Sequence, residues 1–432
     1  MDTAPPTGRG KLLLTLFGEV RRTEILTVLL LSANVLLVLA AYYLLKVARE
    51  PLILVSGGAE VKSYAAAGQS ILLVGVTTAY GWLSARVGRT LLISIVTVFF
   101  VANLGLFWLL GTRGLSIGLA FFLWVGIFNV VTVAQFWSFA ADVYDDADGK
   151  RLFPVIGIGS SLGAVVGAVM ATVLIDHGSP FRLMLVSGGL LLVSLLLTHV
   201  VHRREPGRSK RYGGGSVRDV PFPRSDVFGL VLRDRYLAVL ALLVLVLSIV
   251  TKTGDYVLDR TLVLRAPHEA KVLGITAGAY IGQFKARYFQ WITVASVALQ
   301  ALAVSRIIRH VGVRTSLILV PLASVGGYGV ALLAPVVSVL FASRVVESSV
   351  DYSLSNTTRQ ALWLVTSDEK KYKAKQVVDT FVVRAGDAIS AGVVWIGATL
   401  LLGPRHFLAL NLGLSLLWVV LAIALGRQYA QR

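Results

Sequence analysis

The sequence predicts an all-α integral membrane protein with twelve transmembrane helices in two six-helix pseudo-repeats. Three observations predict it. Hydrophobic residues make up 56% of the 432-residue chain, mean hydropathy is +0.76 and only 15% of residues are charged; soluble domains carry about 25% charged residues. The apolar residues fall in long continuous runs, not in the ~10-residue alternating segments of a membrane barrel. The order of features in the first half of the chain recurs in the second. This composition excludes an ordinary soluble enzyme and a disordered chain. There are no cysteines, which excludes disulfides and thiolate chemistry, and the six histidines form no HxxxH or HxH pair that would signal a metal.

A crossing helix needs ~20 mostly apolar residues. In order, candidate spans lie near 25–48, 64–85, 90–111, 115–140, 154–175, 182–201, 236–258, 287–306, 314–334, 337–364, 377–402 and 405–426. Segment 1–24 precedes them with Arg9, Lys11, Arg21 and Arg22. No small-residue cleavage site follows the first run in the right place, so it reads as an uncleaved helix. Spans one to six form an N-terminal half over 25–201, and spans seven to twelve a C-terminal half over 236–426. Between them a 202–235 linker holds nine arginines and lysines, and a tail of 427–432 carries Arg427 and Arg432. Basic loops stay in the cytoplasm, so both termini and the linker are expected there, six crossings apart. The linker's charge reads as a topology signal beside a lipid bilayer and not as a nucleic-acid site. Connectors this short suit a bacterial inner membrane. Nothing in the sequence specifies an oligomer.

The halves repeat each other. Gly88 and Gly312 are 224 apart, Trp137 and Trp363 226, Lys150 and Lys373 223, and Gly163 and Gly386 223. Lys46 and Lys252 are 206 apart, which places about 18 extra residues of the second half within 259–286. Parallel six-helix halves with a site between them near the midplane are the arrangement of major facilitator transporters. Gly81, Leu83, Arg86, Gly88 and Arg89 also resemble the facilitator loop between helices two and three, with Ala85 where that loop has an aspartate.

Ionisable residues inside spans mark function by default, because burying them is costly unless they are paired or wet. In span one, Asn34, Tyr42, Lys46, Arg49 and Glu50 form one stripe, and Pro51 is expected to end the helix. Lys46 lies deeper than Arg49 and Glu50, which also suit the outer headgroups. Span four offers Asn129, Thr132 and Gln135, and span seven Lys252, Asp255 and Asp259, where Lys252 and Asp255 have the i,i+3 spacing of an ion pair. Span ten is richest: Arg344, Glu347, Asp351, Ser355 and Arg359 share a face at 3.6 residues per turn. In span eleven Asp379 and Asp387 share a face and Arg384 lies off it. Gly159, Gly163 and Gly167 read as a close-packing stripe. Lys46, Lys252, Arg344, Arg359 and Arg384 are expected to form a cationic cavity for a small anionic solute, with lysine as a point charge and arginine as a fork. No Ser-His-Asp order, Walker lysine or paired-carboxylate site is present, so an enzyme is not expected, and no cofactor or metal is implied.

Two stretches are more specific. Residues 136–163, FWSFAADVYDDADGKRLFPVIGIGSSLG, resemble a segment of the bacterial and plastid ATP/ADP translocases at Phe136, Trp137, Phe139, Ala140, Lys150, Arg151, Pro154, Gly157 and Gly159. Residues 351–387 are similar to a second segment of that family at Tyr352, Ser353, Leu354, Lys373, Lys375, Asp379, Arg384 and Gly386. The resemblance implies a twelve-helix carrier that exchanges ATP for ADP or imports nucleotides with protons. It puts substrate lysines at Lys46 and at Lys373 or Lys375, and an acidic residue at Asp148. The chain departs from the pattern at Asp351, Asn356 and Ser248, as a divergent member would.

The expected function is secondary transport of an anionic metabolite by alternating access, foremost nucleotide exchange. The substrate-binding candidates are Lys46, Arg49, Asn129, Lys252, Arg344, Arg359, Lys373, Lys375 and Arg384. The coupling or gating carboxylates are Glu50, Asp148, Asp255, Glu347, Asp351, Asp379 and Asp387. Two readings share these residues: a proton-coupled importer of another phosphorylated or carboxylated solute, using Asp351 or Glu347, and a non-transporting scaffold or sensor with a transporter fold.

Overall fold

The computed structural model describes residues 21, 23–176, 179–205, 225–366 and 374–431, and every regular element among them is a helix. Most of segment 1–24 and of the linker, together with Lys373, lies outside the described residues.

Helix α1, Ile25–Ser84, is 60 residues long and joins what hydropathy separates into spans one and two. Pro51 does not end it: the proline sits inside the helix. Losing one backbone hydrogen bond at a proline is tolerated there because Ile53 and Leu54 just beyond it are buried. The bend comes at Gly58, whose φ of 73° and ψ of −174° belong to a region that side chains exclude. Helices α2 (Arg89–Thr112), α3 (Gly118–Val143), α4 (Asp146–Asp176) and α5 (Pro180–Arg204) follow. α4 starts eight residues before its predicted span. Its first turns carry Lys150 and Arg151, and a hydropathy window registers only the apolar part of a helix.

After the short α6 (Ser225–Arg233), α7 spans Arg235–Leu273. Asp234 caps its start by accepting from the Tyr236 and Leu237 amides, and left-handed Gly274 ends it. α7 outruns the predicted 236–258, so the extra residues of the second half lengthen a helix and do not form a loop. α8 (Ala277–Leu299) passes through a π-turn at Gln300–Val304 into α9 (Ser305–Leu333), which bends at Gly312, φ 76°. The tenth span is built in pieces: α10 (Val337–Val350), a π-turn at Asp351–Ser355, and α11 (Asn356–Leu362). A π-turn at Val377–Val382 leads into α12 (Val383–Thr399), and α13 is Pro404–Ala430.

Among the described residues nine helical stretches are long and apolar enough to cross a membrane, two of them bent at Gly58 and Gly312. Their apolar windows average 1.4 to 2.4 in hydropathy, yet only 28–61% of each window is buried. Ile71, Leu196, Leu264 and Trp395 are exposed among many other large apolar residues. Water would penalise that surface and lipid does not, so the chain is a multi-pass membrane protein.

The helices pack as two compact units. The described residues of the first lie within Met1–Ala48, Gly75–Leu115 and Trp124–Arg218. Its core gathers Val28, Leu31 and Val35 of α1, Ile93 of α2, Phe136, Phe139 and Ala140 of α3, Leu152 and Ile156 of α4, and Val201 of α5. Gly159, Gly163 and Gly167 lie directly against the α1 backbone at Ser32, Leu36 and Ala40, so the glycine stripe is a packing face. Asn34 is structural: it donates to Thr198 Oγ1 at 2.8 Å and accepts from Ser194 at 2.7 Å.

The described residues of the second unit lie within Arg49–Val74, Ser116–Leu123 and Asp219–Arg432. In it α13 packs along both α7 and α9. Thr253 of α7 donates to Asn411 of α13 at 2.5 Å, and Gly386 of α12 sits against Ser248 of α7.

Candidate functional site: buried charge in the second unit

Three groups of charge are organised by α7 of the second unit, and each takes one ionisable residue from it. The first is centred on Asp387. This carboxylate is 4% exposed and faces two cations, Arg384 at 3.2 Å and Lys252 at 3.8 Å. Both cations are about two-fifths exposed, at 42% and 43%. The i,i+3 pair expected between Lys252 and Asp255 is not what forms: Lys252 pairs with Asp387 of α12. Nor do Asp379 and Asp387 share a face. Asp379 is exposed and Asp387 buried. The π-turn at Val377–Val382 takes more residues per turn, so the register drifts from the 3.6-residue count. Arg384 and Asp387 both follow that turn, inside α12, where the i,i+3 spacing of a regular helix makes them neighbours.

The second group surrounds Arg344, which is 1% exposed. One terminal nitrogen meets Asp255 at 2.6 Å and donates to the Thr251 carbonyl at 3.1 Å. The other meets Glu347 at 2.6 Å and donates to Tyr328 at 3.2 Å. The absence of a side chain at Gly254 makes the room: a Cβ there would collide with Tyr328 and with the Arg344 guanidinium. Two carboxylates share this one guanidinium, and Glu347 Oε1 is buried with no hydrogen-bond partner. Farther along, Arg359 of α11 lies 3.8 Å from Asp351, the first residue of the π-turn at Asp351–Ser355. Within span ten the predicted charges thus pair as Arg344 with Glu347 and Asp351 with Arg359. Lys375 donates to Gln360 at 2.6 Å.

The third group is a closed ring of four charges. Lys62 bonds both Glu50 and Asp259, the latter at 2.6 Å, and Lys285 pairs with Asp259 and lies 3.6 Å from Glu50. Glu50, Asp259 and Lys285 are at most 2% exposed. Arg49 adds to it, 3.5 Å from Glu50 and stacked over Phe122 at 4.5 Å. Arg49 and Glu50 thus sit in the protein and not among outer headgroups. Beside the ring, Tyr256 donates to Glu60 at 2.9 Å and accepts from Arg260 at 2.5 Å. Lys62, Lys285, Glu60 and Arg260 are absent from the residues that the sequence picks out. A signal was available: Lys62 and Lys285 are 223 apart, the offset of Gly163 and Gly386.

The remaining predicted residues fall in the first unit. Lys46 is half-buried with its ammonium 5.0 Å from the Tyr43 ring centre. Asn129 is half-buried on α3. Asp148 meets Arg151 at 2.7 Å, and Arg151 meets Glu24 at 2.9 Å. Arg89 of the facilitator-like loop, where Ala85 leaves no partner in the loop itself, pairs with Asp142 at 2.7 Å.

No family model matches the chain, and no curated protein matches it in sequence. Solved structures match its fold. A crystal structure of the nucleoside transporter NupG (D323A mutant) is 13% identical, with a TM-score of 0.67 over 92% of this chain and 99% of that one. A bacterial homologue of the human lysosomal transporter Spinster, inward-facing and unoccupied, is 14% identical, with a TM-score of 0.60 over 95% and 98%. A bacterial homologue of the iron transporter ferroportin, inward-facing, is 14% identical, with a TM-score of 0.61 over 94% and 99%. The chain has the fold of these transporters along nearly its whole length.

Proposed function

We propose that the protein is a secondary transporter of the major facilitator type, with twelve crossings, that moves a small anionic solute by alternating access. The observation that carries this reading is the triad of Lys252, Arg384 and Asp387. Two half-exposed cations share one buried carboxylate, which leaves an excess positive charge within this group and several N–H donors. A carboxylate or phosphate is the group that satisfies them. With its solute gone, such a site holds under-neutralised cations. Reorientation is then easier with an anion bound than without one, which favours exchange over free uniport. Nucleotides of the ATP/ADP kind are the first solutes to test, on the resemblance of residues 136–163 and 351–387.

Counterflow in proteoliposomes tests this. Vesicles preloaded with ATP or ADP are expected to take up labelled ATP, and empty vesicles are not. Lys252→Ala and Arg384→Ala should each lower uptake about 10- to 100-fold, the effect of losing a charge-assisted bond worth about 1.5–3 kcal/mol. Equal uptake without an internal pool would sink exchange. Uptake unchanged in both variants would sink the site.

A second reading, proton-coupled import, is favoured by one observation: Glu347 carries a buried oxygen with no partner, which suits a carboxyl that takes up a proton. In that case uptake requires a pH gradient and loses the requirement in Glu347→Gln.

A further inference from the structure

The ring of Glu50, Lys62, Asp259 and Lys285 has a symmetry that the rest of the charge network lacks. Glu50 and Lys62 belong to α1, on either side of its bend at Gly58. Asp259 and Lys285 belong to α7 and α8, on either side of Gly274. Each sequence half therefore gives one carboxylate before a left-handed glycine and one lysine after it. The offsets agree. Asp259 follows Glu50 by 259 − 50 = 209, Gly274 follows Gly58 by 274 − 58 = 216, and Lys285 follows Lys62 by 285 − 62 = 223. Each step adds seven residues, about two helical turns. The second-half hairpin is thus longer by two turns on each leg, and the lengthening keeps the four charges on a common ring. These two steps account for 14 of the roughly 18 extra residues of the second half.

The ring contains two kinds of pair. Lys62 with Glu50 and Lys285 with Asp259 are pairs within one half. Lys62 with Asp259, at 2.6 Å, and Lys285 with Glu50, at 3.6 Å, are pairs between the halves. If the ends of these helices part, only the second kind breaks. Each half leaves with its own carboxylate and its own lysine, so no buried charge is stripped of its partner. A single cross-half pair would strand one charge on each side, which is the costly way to break a buried ion pair.

We infer that this ring is a duplicated latch: its cross-half pairs hold the α1 bend against α7 and α8 in this conformation, and its within-half pairs make release possible without an unpaired charge. The release step rests on the proposed transport; the holding step does not.

The chain has no cysteine, so cross-linking needs no background removed. Val55 and Gly278 face each other beside the ring, a Cβ at Gly278 lying 3.5 Å from the Val55 side chain. In reconstituted full-length protein carrying Val55→Cys and Gly278→Cys, oxidation should join the two positions in high yield. Reversing one half's pair, Glu50→Lys with Lys62→Glu, keeps that pair but sets like charges across the ring. Cross-linking should fall several-fold. Reversing the other half as well, Asp259→Lys with Lys285→Glu, restores both cross-half attractions and should restore the yield. Unchanged cross-linking in the one-half reversal overturns the latch. So does failure of the four-residue reversal to recover cross-linking while it elutes as folded, monodisperse protein. If the one-half reversal does not fold, the four-residue reversal alone decides, wild-type cross-linking being the expected result. In the same vesicles the oxidised pair should stop counterflow and reduction should return it. The expected cross-linking pattern with no counterflow in any form would remove nucleotide exchange and leave the holding role intact.

Discussion

Asp387 is the residue on which the site's charge balance turns. It neutralises one of the two cations beside it and competes with any anion for both. Asp387→Asn removes the competitor and keeps the side-chain shape. The half-saturating concentration of an anionic solute is expected to fall several-fold, and turnover to fall with it, because the tighter complex is slower to release. The concentration dependence of counterflow measures both, and a rise in half-saturation would contradict this role. The identities of these residues were legible: Lys252, Arg384 and Asp387 stand out as ionisable groups in apolar runs. Their partners were not. Lys252 and Asp255 have the spacing of a helical pair, yet Arg344 takes Asp255 and Asp387 takes Lys252. A buried arginine with room made by Gly254 draws in a carboxylate from another helix, and spacing along one helix is blind to that.

At the scale of the element, glycine decides where helices bend and where they touch. Gly163 lies against the α1 backbone at Leu36, so Gly163→Val must push α4 away from α1. Overpacking of this kind costs about 1–3 kcal/mol. The expected result is a thermal midpoint in detergent lowered by several degrees, with Gly189→Val as the control, since a Cβ at Gly189 meets nothing nearby. Equal loss in both variants would mean the stripe is not a packing face. The glycine stripe could be read from spacing alone because small residues every fourth position have one common use in a membrane. The π-turns at Asp351–Ser355 and Val377–Val382 could not. Their residues are mostly β-branched, aromatic or short polar ones of modest helix propensity, which lowers the preference for helix without specifying a wider turn.

For the whole molecule, the prediction is one of sidedness. Twelve crossings with basic ends in the cytoplasm put the Ala85 and Glu205 turns on the cytoplasmic face and the Gly114 and Gly274 turns on the other. Single cysteines at these positions should label with an impermeant maleimide from opposite sides of a right-side-out vesicle. Labelling of Ala85→Cys and Gly274→Cys from the same side would break the topology.

By itself the sequence determined that the chain is a helical membrane protein with repeated features, where its apolar helical stretches lie, and which positions carry charge in apolar surroundings. These follow from local quantities: hydropathy over ~20 residues, the bias of basic loops, and recurrence at a fixed offset. Only the tertiary structure decided that Glu50 faces Lys62, Asp259 and Lys285, and that Arg344 serves two carboxylates. A buried charge is stabilised by whichever opposite charge the fold brings within hydrogen-bonding distance. That choice is made across helices hundreds of residues apart, where neither periodicity nor spacing reaches.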